Sequence, residues 1–285
     1  MSSTELGAYG LRLPGLPGEE WLGAAPASWP SWTMRQLLDP AYDAPQIVTP
    51  TLARVQLQPT GMAEIDRIQH TTTIHSSRPA PAAAWAHPLL ASTAVMTAEW
   101  AGRLAFHAGA FLDDHGRAWG LIGDRGMGKS TALAWLAAHD HPVLSDDLLI
   151  TDGREALAGP RCVDLRESAA ETFGIGADIG VVGTRRRWRV KLPPIHATCR
   201  FGGVIALGWG STIRATTLPI AERAPMLRAN RGLLVGQDHP MPWLHILAAP
   251  MIEFTRPQDW RAIDDAMDRL LEAVNGIQRP LAWAG

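Results

Sequence analysis

The clearest periodicity lies near the end of the chain, where Trp260, Ile263, Met267, Leu270, Leu271 and Val274 recur at intervals of three and four. That spacing puts them on one stripe and predicts an amphipathic helix over 258–274, packed against a sheet. Leu89, Leu90, Val95, Met96 and Trp100 predict a second helix over 87–103, and an Ala/Leu-rich run a third over 131–138. A fourth is predicted over 225–234. Between the helices lie strand patterns at 103–112, 119–122 and 200–209, the last apolar enough for burial on both faces. Residues 141–150 also read as a strand, interrupted by the adjacent acids Asp146 and Asp147. Asp113-Asp114-His115-Gly116 supplies a turn.

The front of the chain reads differently. Leu13-Pro14-Gly15-Leu16-Pro17-Gly18 and Trp29-Pro30-Ser31-Trp32 break helices and central strands, which leaves short strands and turns. Strands are expected at 46–58 and 61–74, and a linker at 76–83. The expected organisation is therefore a Pro/Trp-rich, β-containing region over 1–85 and an α/β domain over 86–285. The aromatic front reads equally as a recognition surface or as turn-forming filler.

Composition narrows the class. The 285 residues carry 26 Lys+Arg against 28 Asp+Glu, a balance that argues against a general nucleic-acid binder. Cys162 and Cys199 stand far apart, outside any metal or redox spacing, and are expected to be buried thiols in a reducing compartment. Met1-Ser2-Ser3-Thr4-Glu5 lacks the cationic and apolar parts of a secretory signal. No apolar stretch approaches the roughly 20 residues needed to span a bilayer. The expectation is a cytoplasmic protein with neither membrane nor nucleic-acid partner.

The stretch carrying most chemistry is Gly123-Asp124-Arg125-Gly126-Met127-Gly128-Lys129-Ser130-Thr131, between the strand at 119–122 and the helix at 131–138. It fits G-x-x-x-x-G-K-[ST] in the required strand–loop–helix context. Glycines let several backbone N–H groups face one anion, and the helix start adds its positive dipole end. Lys129 is placed to reach β and γ phosphates, and the Ser130 hydroxyl to ligate Mg²⁺. The stretch predicts a nucleoside triphosphate site.

Asp146 and Asp147 follow Lys129 by 17 and 18 positions. One would hold Mg²⁺ directly or through water and the other would receive a hydroxyl proton, their mutual repulsion raising one pKa. Asp146 is expected to position the metal. By residue type alone His107, a lone histidine in an apolar strand, reads as a satisfied core or edge histidine. His139 and His141 lack a third ligand and read as structural. If 184–192 is a strand, Arg185, Arg187, Arg189 and Lys191 share one face. Such a row reads equally as a clamp for phosphates or an acidic peptide and as a solvated strand edge.

Phe106-His107, the loop 123–131 and Ser145-Asp146-Asp147 resemble the nucleotide domain of bacterial HPr kinase/phosphorylase. The likeness is greatest to HPr-kinase-like proteins of peptide natural-product gene clusters, and it covers about residues 87–275. It implies a mixed sheet of the HPr kinase / phosphoenolpyruvate carboxykinase type. Lys129 would contact the phosphates, Asp147 would accept the proton, and His107 would be the active-site histidine. Arg200 matches a catalytic arginine of the family. The parent enzyme carries Glu where this chain has Thr131. Its assembly into hexamers implies a homo-oligomer. The implied activity is ATP- and Mg²⁺-dependent phosphoryl transfer to a hydroxyl, a serine of a precursor peptide or small protein. A small-molecule kinase and a nucleotide-binding regulatory ATPase stay open beside it.

Overall fold

Residues 5–57, 61–232 and 239–277 are described in the computed structural model. The apolar run at 200–209 becomes the strand Thr198–Trp209, buried continuously over 201–207. One of its edges runs parallel to Arg117–Ile122. The other is antiparallel to Glu155–Leu157 at its start and parallel to Met251–Arg256 further on. Period-two alternation divides the side chains between two faces. Ile205 and Leu207 join Trp119, Leu121 and Phe254 in one core, while Val204 and Ala206 join Ala118 and Ile122 in another. With both faces covered, no polar alternation is needed, which explains the near-unbroken apolar sequence.

The strands expected at 103–112 and 141–150 each divide in two, into Leu104–His107 and Gly109–Leu112, and into Val143–Ser145 and Leu148–Thr151. The two runs stay antiparallel neighbours, with Leu104 opposite Thr151 and Ala110 opposite Ser145. The ladder opens between them, where the Ala108 N–H donates to the Asp147 carbonyl at 3.1 Å. Gly109–Leu112 continues the sheet through Arg117–Ile122, and Leu148–Thr151 through Glu155–Leu157. The nine-stranded sheet therefore coils until the same two runs form both of its ends. The architecture is mixed α/β, as expected, with parallel and antiparallel pairs in one sheet.

Helices cover both faces. Lys129–Ala138, Glu167–Phe173 and Ile263–Asn275 bury residues in the first core, and Leu227 and Ile246 bring Ile220–Ala229 and Pro240–Ala248 onto the second. The helix predicted at 225–234 starts five residues earlier and ends at Ala229, with Pro225 inside it. Pro225 suggested a helix start, but Pro219 stands at that boundary, and a mostly exposed helix tolerates the lost hydrogen bond. Residues 233–234 of that prediction lie outside the described residues. The helix at Pro240–Ala248 had no counterpart in the sequence expectations.

At the front, Leu6–Ala8, Leu11–Arg12 and Gly23–Ala24 form one small sheet. A second has the order Thr33–Leu38, Thr71–Ser76, Met62–Asp66, Leu52–Gln56, Ile47–Val48. The strands expected at 46–58 and 61–74 are thus two hairpin pairs. Thr49 Oγ1 accepts from the Leu52 N–H at 2.9 Å, and Asp66 Oδ1 from the Ile68 and Gln69 N–H groups at 2.8 and 2.9 Å. These side-chain acceptors close turns that the β-branched composition concealed. Trp32, Ile65 and Ile74 pack in one cluster with Leu90, Ala105, Leu148 and Ile150, so the core runs unbroken across residue 85. Cys162 and Cys199 are free, buried thiols. No helix among the described residues is long and apolar enough to cross a membrane.

Met267 is fully buried on the last helix, whereas Asp268 beside it is exposed. Met267→Ala is expected to lower unfolding stability by about 2–4 kcal/mol and Asp268→Ala by no more than about 0.5 kcal/mol, measured by urea titration of both variants.

Candidate functional site

The loop at 123–128 leaves the strand at Ile122, buried between the two cores, and enters the helix at Lys129. Gly128 holds φ at +79°, and a Cβ there would lie 2.4 Å from Arg256 Nη2. Conformation and space both require glycine at that position. The first N–H groups of the helix have no intrahelical acceptor, so Lys129, Ser130 and Thr131 begin a donor-rich helix start. Lys129 Nζ donates to the Gly123 carbonyl at 2.5 Å, folding the lysine back over the loop. Burial lowers its pKa, against the raising effect of Asp147 and Asp124.

This loop forms one wall of a cleft of about 810 Å³. Asp124, Arg125, Gly126, Gly128, Lys129, Ser130 and Thr131 line it, together with His107, Asp147, Asp164, Arg166 and Arg185. His107 stands exposed at the end of its strand, and Asp147 is half-buried where the ladder opens. The interruption that looked like a defect in a strand thus turns a carboxylate toward the loop. Met127 instead packs on the first core.

Behind Asp147 lies a buried polar network. Asp164 lies opposite Arg189 in the pairing of Cys162–Leu165 with Arg185–Lys191. Its Oδ1 accepts from Arg189 Nε at 2.6 Å, and its Oδ2 from Arg189 Nη2 at 2.8 Å and Arg187 Nη1 at 3.1 Å. Arg189 also donates to the carbonyls of Ala83 at 2.6 Å and His87 at 3.0 Å, which fixes the irregular turn carrying His87. His87 Nε2 lies 3.1 Å from Asp147 Oδ2 and 2.9 Å from Arg187 Nη1. The Asp164 N–H donates to Asp146 Oδ2 at 2.9 Å.

Charge states follow from these contacts. Burial alone would raise Asp147, but the hydrogen bond and charge of His87, with His107 and Arg187, pull it well below the usual carboxylate range. Burial alone would lower His87, but the hydrogen bond and charge of Asp147, with Asp146 and Asp164, raise it. Asp146 goes the other way. Burial, then repulsion from Asp147, lifts it to about 7.

Two expected site residues, Asp146 and Arg200, do not line the cleft. Asp146, expected beside Ser130 as a metal ligand, is buried and turned toward Asp164 and His87, because neighbouring residues at the opening point to different sides. His87, Asp146 and Asp147 do bring donor atoms within 4.8 Å of one another, but the Arg187 guanidinium already supplies positive charge there. Arg200 lies outside the cleft. It sits exposed in register with Arg117, while the loop follows Ile122, five residues or about 16 Å along the strand. The cationic row also resolves differently from either sequence reading. Arg187 and Arg189 are buried on Asp164, Arg185 faces the cleft, and Lys191 stacks over Trp21.

His87 and Asp164 had no place among the sequence candidates. Asp164 carried one faint signal: an acid between Val163 and Leu165, opposite an arginine row of the same period. His87 carried none, since its neighbours in space are 60 to 100 positions away in sequence.

No protein-family model matches the chain, and no curated protein matches it. The Hpr(Ser) kinase/phosphatase from Coxiella burnetii is a similar solved structure, at 13% sequence identity and a TM-score of 0.31. The match covers 60% of this chain and 99% of that one. A likeness of that size identifies no shared active site, and the chemistry has to be read from this chain's own residues.

Asp146 generates a stability prediction. Its carboxyl binds a proton more tightly folded than unfolded, so it contributes stability fully present below about pH 4 and lost as pH rises through about 7. Asn at 146 keeps an acceptor for the Asp164 N–H but has nothing to ionise. Relative to the wild type, Asp146→Asn should gain about 3 °C or more in Tm between pH 5 and pH 8, measured by calorimetry of both proteins in matched buffers.

Proposed function

We propose that the protein is an ATP- and Mg²⁺-dependent kinase that transfers the γ-phosphoryl group to a hydroxyl, a serine of a peptide or small protein. One observation carries this reading: Lys129 and Ser130, at a helix start, share a cleft with the Asp147 carboxylate on the neighbouring strand run. The helix N–H groups and Lys129 would bind the triphosphate, the lysine exchanging the Gly123 carbonyl for phosphate oxygens. The Ser130 hydroxyl offers a hard oxygen donor that suits Mg²⁺ and would help to hold it. The bound ion would neutralise charge on the phosphates. Asp164 also lines the cleft, but both its oxygens are engaged by arginines.

In the reaction, the acceptor oxygen bonds to the γ-phosphorus, the bond to the β-phosphate oxygen breaks, and the diphosphate leaves. The hydroxyl proton passes to Asp147. A carboxylate held as low as Asp147 is a weak base, so it takes the proton late, once the new P–O bond has made the hydroxyl acidic. A loose transition state demands no more. Arg185 and Arg166 at the cleft wall would stabilise charge on the transferring group, the task that Arg200 is too distant to perform.

Incubation with γ-labelled ATP and candidate peptides, followed by mass measurement, tests the reading. A peptide gaining one phosphoryl group supports it. A labelled metabolite with no labelled peptide would move the acceptor to a small molecule, and occupancy without any acceptor would leave only nucleotide binding. Asp147→Asn should keep nucleotide affinity within about threefold yet slow transfer by about a hundredfold or more. Lys129→Ala should abolish turnover, and wild-type rates there would overturn the site.

A further inference from the structure

A second cavity lies on the other side of the loop. Gly126, Gly128 and Thr131 line both, so the loop and first helical turn separate the two. The second has a volume of about 180 Å³, and its far wall is the start of the last helix and the segment before it. Its character differs from that of the cleft: Trp209, Trp260, Pro257 and Ile263 supply apolar surface, no lysine lines it, and Asp259 is the one acid in its wall.

Arg256 is the anomaly in this wall. Only 2% exposed, it donates through Nη2 to the carbonyls of Met127 and Gly128 at 3.2 and 3.3 Å. Its guanidinium stacks 4.6 Å from the Trp209 ring centroid. Nη1 is buried with no hydrogen-bond partner, and among the described residues no carboxylate pairs with this cation. A buried donor left empty is costly unless something fills it. Arginine offers donors and no acceptor, so what fills it must present an acceptor.

We propose that this cavity receives the purine base of the nucleotide, stacked on its tryptophan surface with an acceptor on the base edge facing Arg256. The inference rests on the phosphate-binding role given above to the loop. A triphosphate lying along the loop, with its terminal phosphorus toward Lys129 and Asp147, would send its nucleoside end past Thr131, one of the three residues common to both cavities. N7 is an acceptor in both purines, and guanine adds O6, whereas the corresponding edge of cytosine offers an amino donor. Stacking of a base on an aromatic ring is sequence-tolerant and changes affinity by about fivefold to a hundredfold per base.

The test is calorimetric titration of the full chain, with Mg²⁺, by ATP, GTP, CTP and tripolyphosphate. ATP or GTP is expected to bind about tenfold or more tighter than CTP and tripolyphosphate. Trp260 is 44% exposed, so Trp260→Ala avoids disturbing the core. It should weaken the preferred purine nucleotide about fivefold and leave tripolyphosphate within twofold. Arg256→Gln should show the same pattern, and Trp260→Ala stands alone if that buried change prevents folding. Equal affinity for all four ligands would overturn the base pocket while leaving the loop's role intact. So would a Trp260→Ala variant that loses nothing, or that loses tripolyphosphate and ATP together. Binding of neither tripolyphosphate nor nucleotide would overturn the loop reading, and the base pocket with it.

Discussion

The Asp164 carboxylate, buried between the guanidinium groups of Arg187 and Arg189, holds the geometry behind the cleft. Removing one partner of such a group leaves an uncompensated charge, at a cost of about 3–5 kcal/mol. The arrangement reaches well beyond its own sheet. Arg189 carries it to the carbonyls of Ala83 and His87, and the Asp164 N–H carries it to Asp146. His87 is thereby held against Asp147, and Asp147 against the cleft. The orientation of the carboxylate facing the loop depends on an ion cluster one layer behind it.

The same layer separates two chemically identical neighbours. Asp146 and Asp147 are adjacent in sequence, yet one is raised to about 7 and the other depressed. Burial works on both. Partners decide the difference: Asp147 has the His87 hydrogen bond with His107 and Arg187 near it, whereas the more distant His87 charge and one backbone donor do not offset burial and the repulsion of Asp147 at Asp146. Two acids in tandem thus provide one group that stays charged at the cleft and one that titrates near neutrality behind it. The coil of the sheet makes the split, because the opening in the ladder is what turns them to different sides.

Much of the loop region was legible in sequence because its determinants are local. Glycine spacing, the short apolar strand before it and the Ala/Leu run after it involve residues within about twenty positions of one another. The last helix was legible for the same reason, since one apolar stripe specifies both its existence and its buried face. Errors came where a local sign had a second use. Pro225 suggested a helix start and proved to lie inside a helix, and the threonine-rich stretch at 71–74 hid the turn that Asp66 closes. The arginine row shows the limit most plainly: period two placed four cations on one face, but only the position of Asp164 on the neighbouring strand says which are buried.

By itself, then, the sequence determined the strand–loop–helix at 117–138, the pair of acids on the neighbouring run, the buried central strand and the amphipathic C-terminal helix. Each follows from backbone geometry and side-chain periodicity over a few turns or a few residues of strand. Tertiary structure alone decided which acid faces the loop, that His87 stands against Asp147, and that Arg200 lies at the wrong end of its strand. It also decided that Arg256 closes a second cavity beneath the loop. These are matters of distance between segments 60 to 130 positions apart, and pairing register and sheet coiling, which no local pattern encodes, set them.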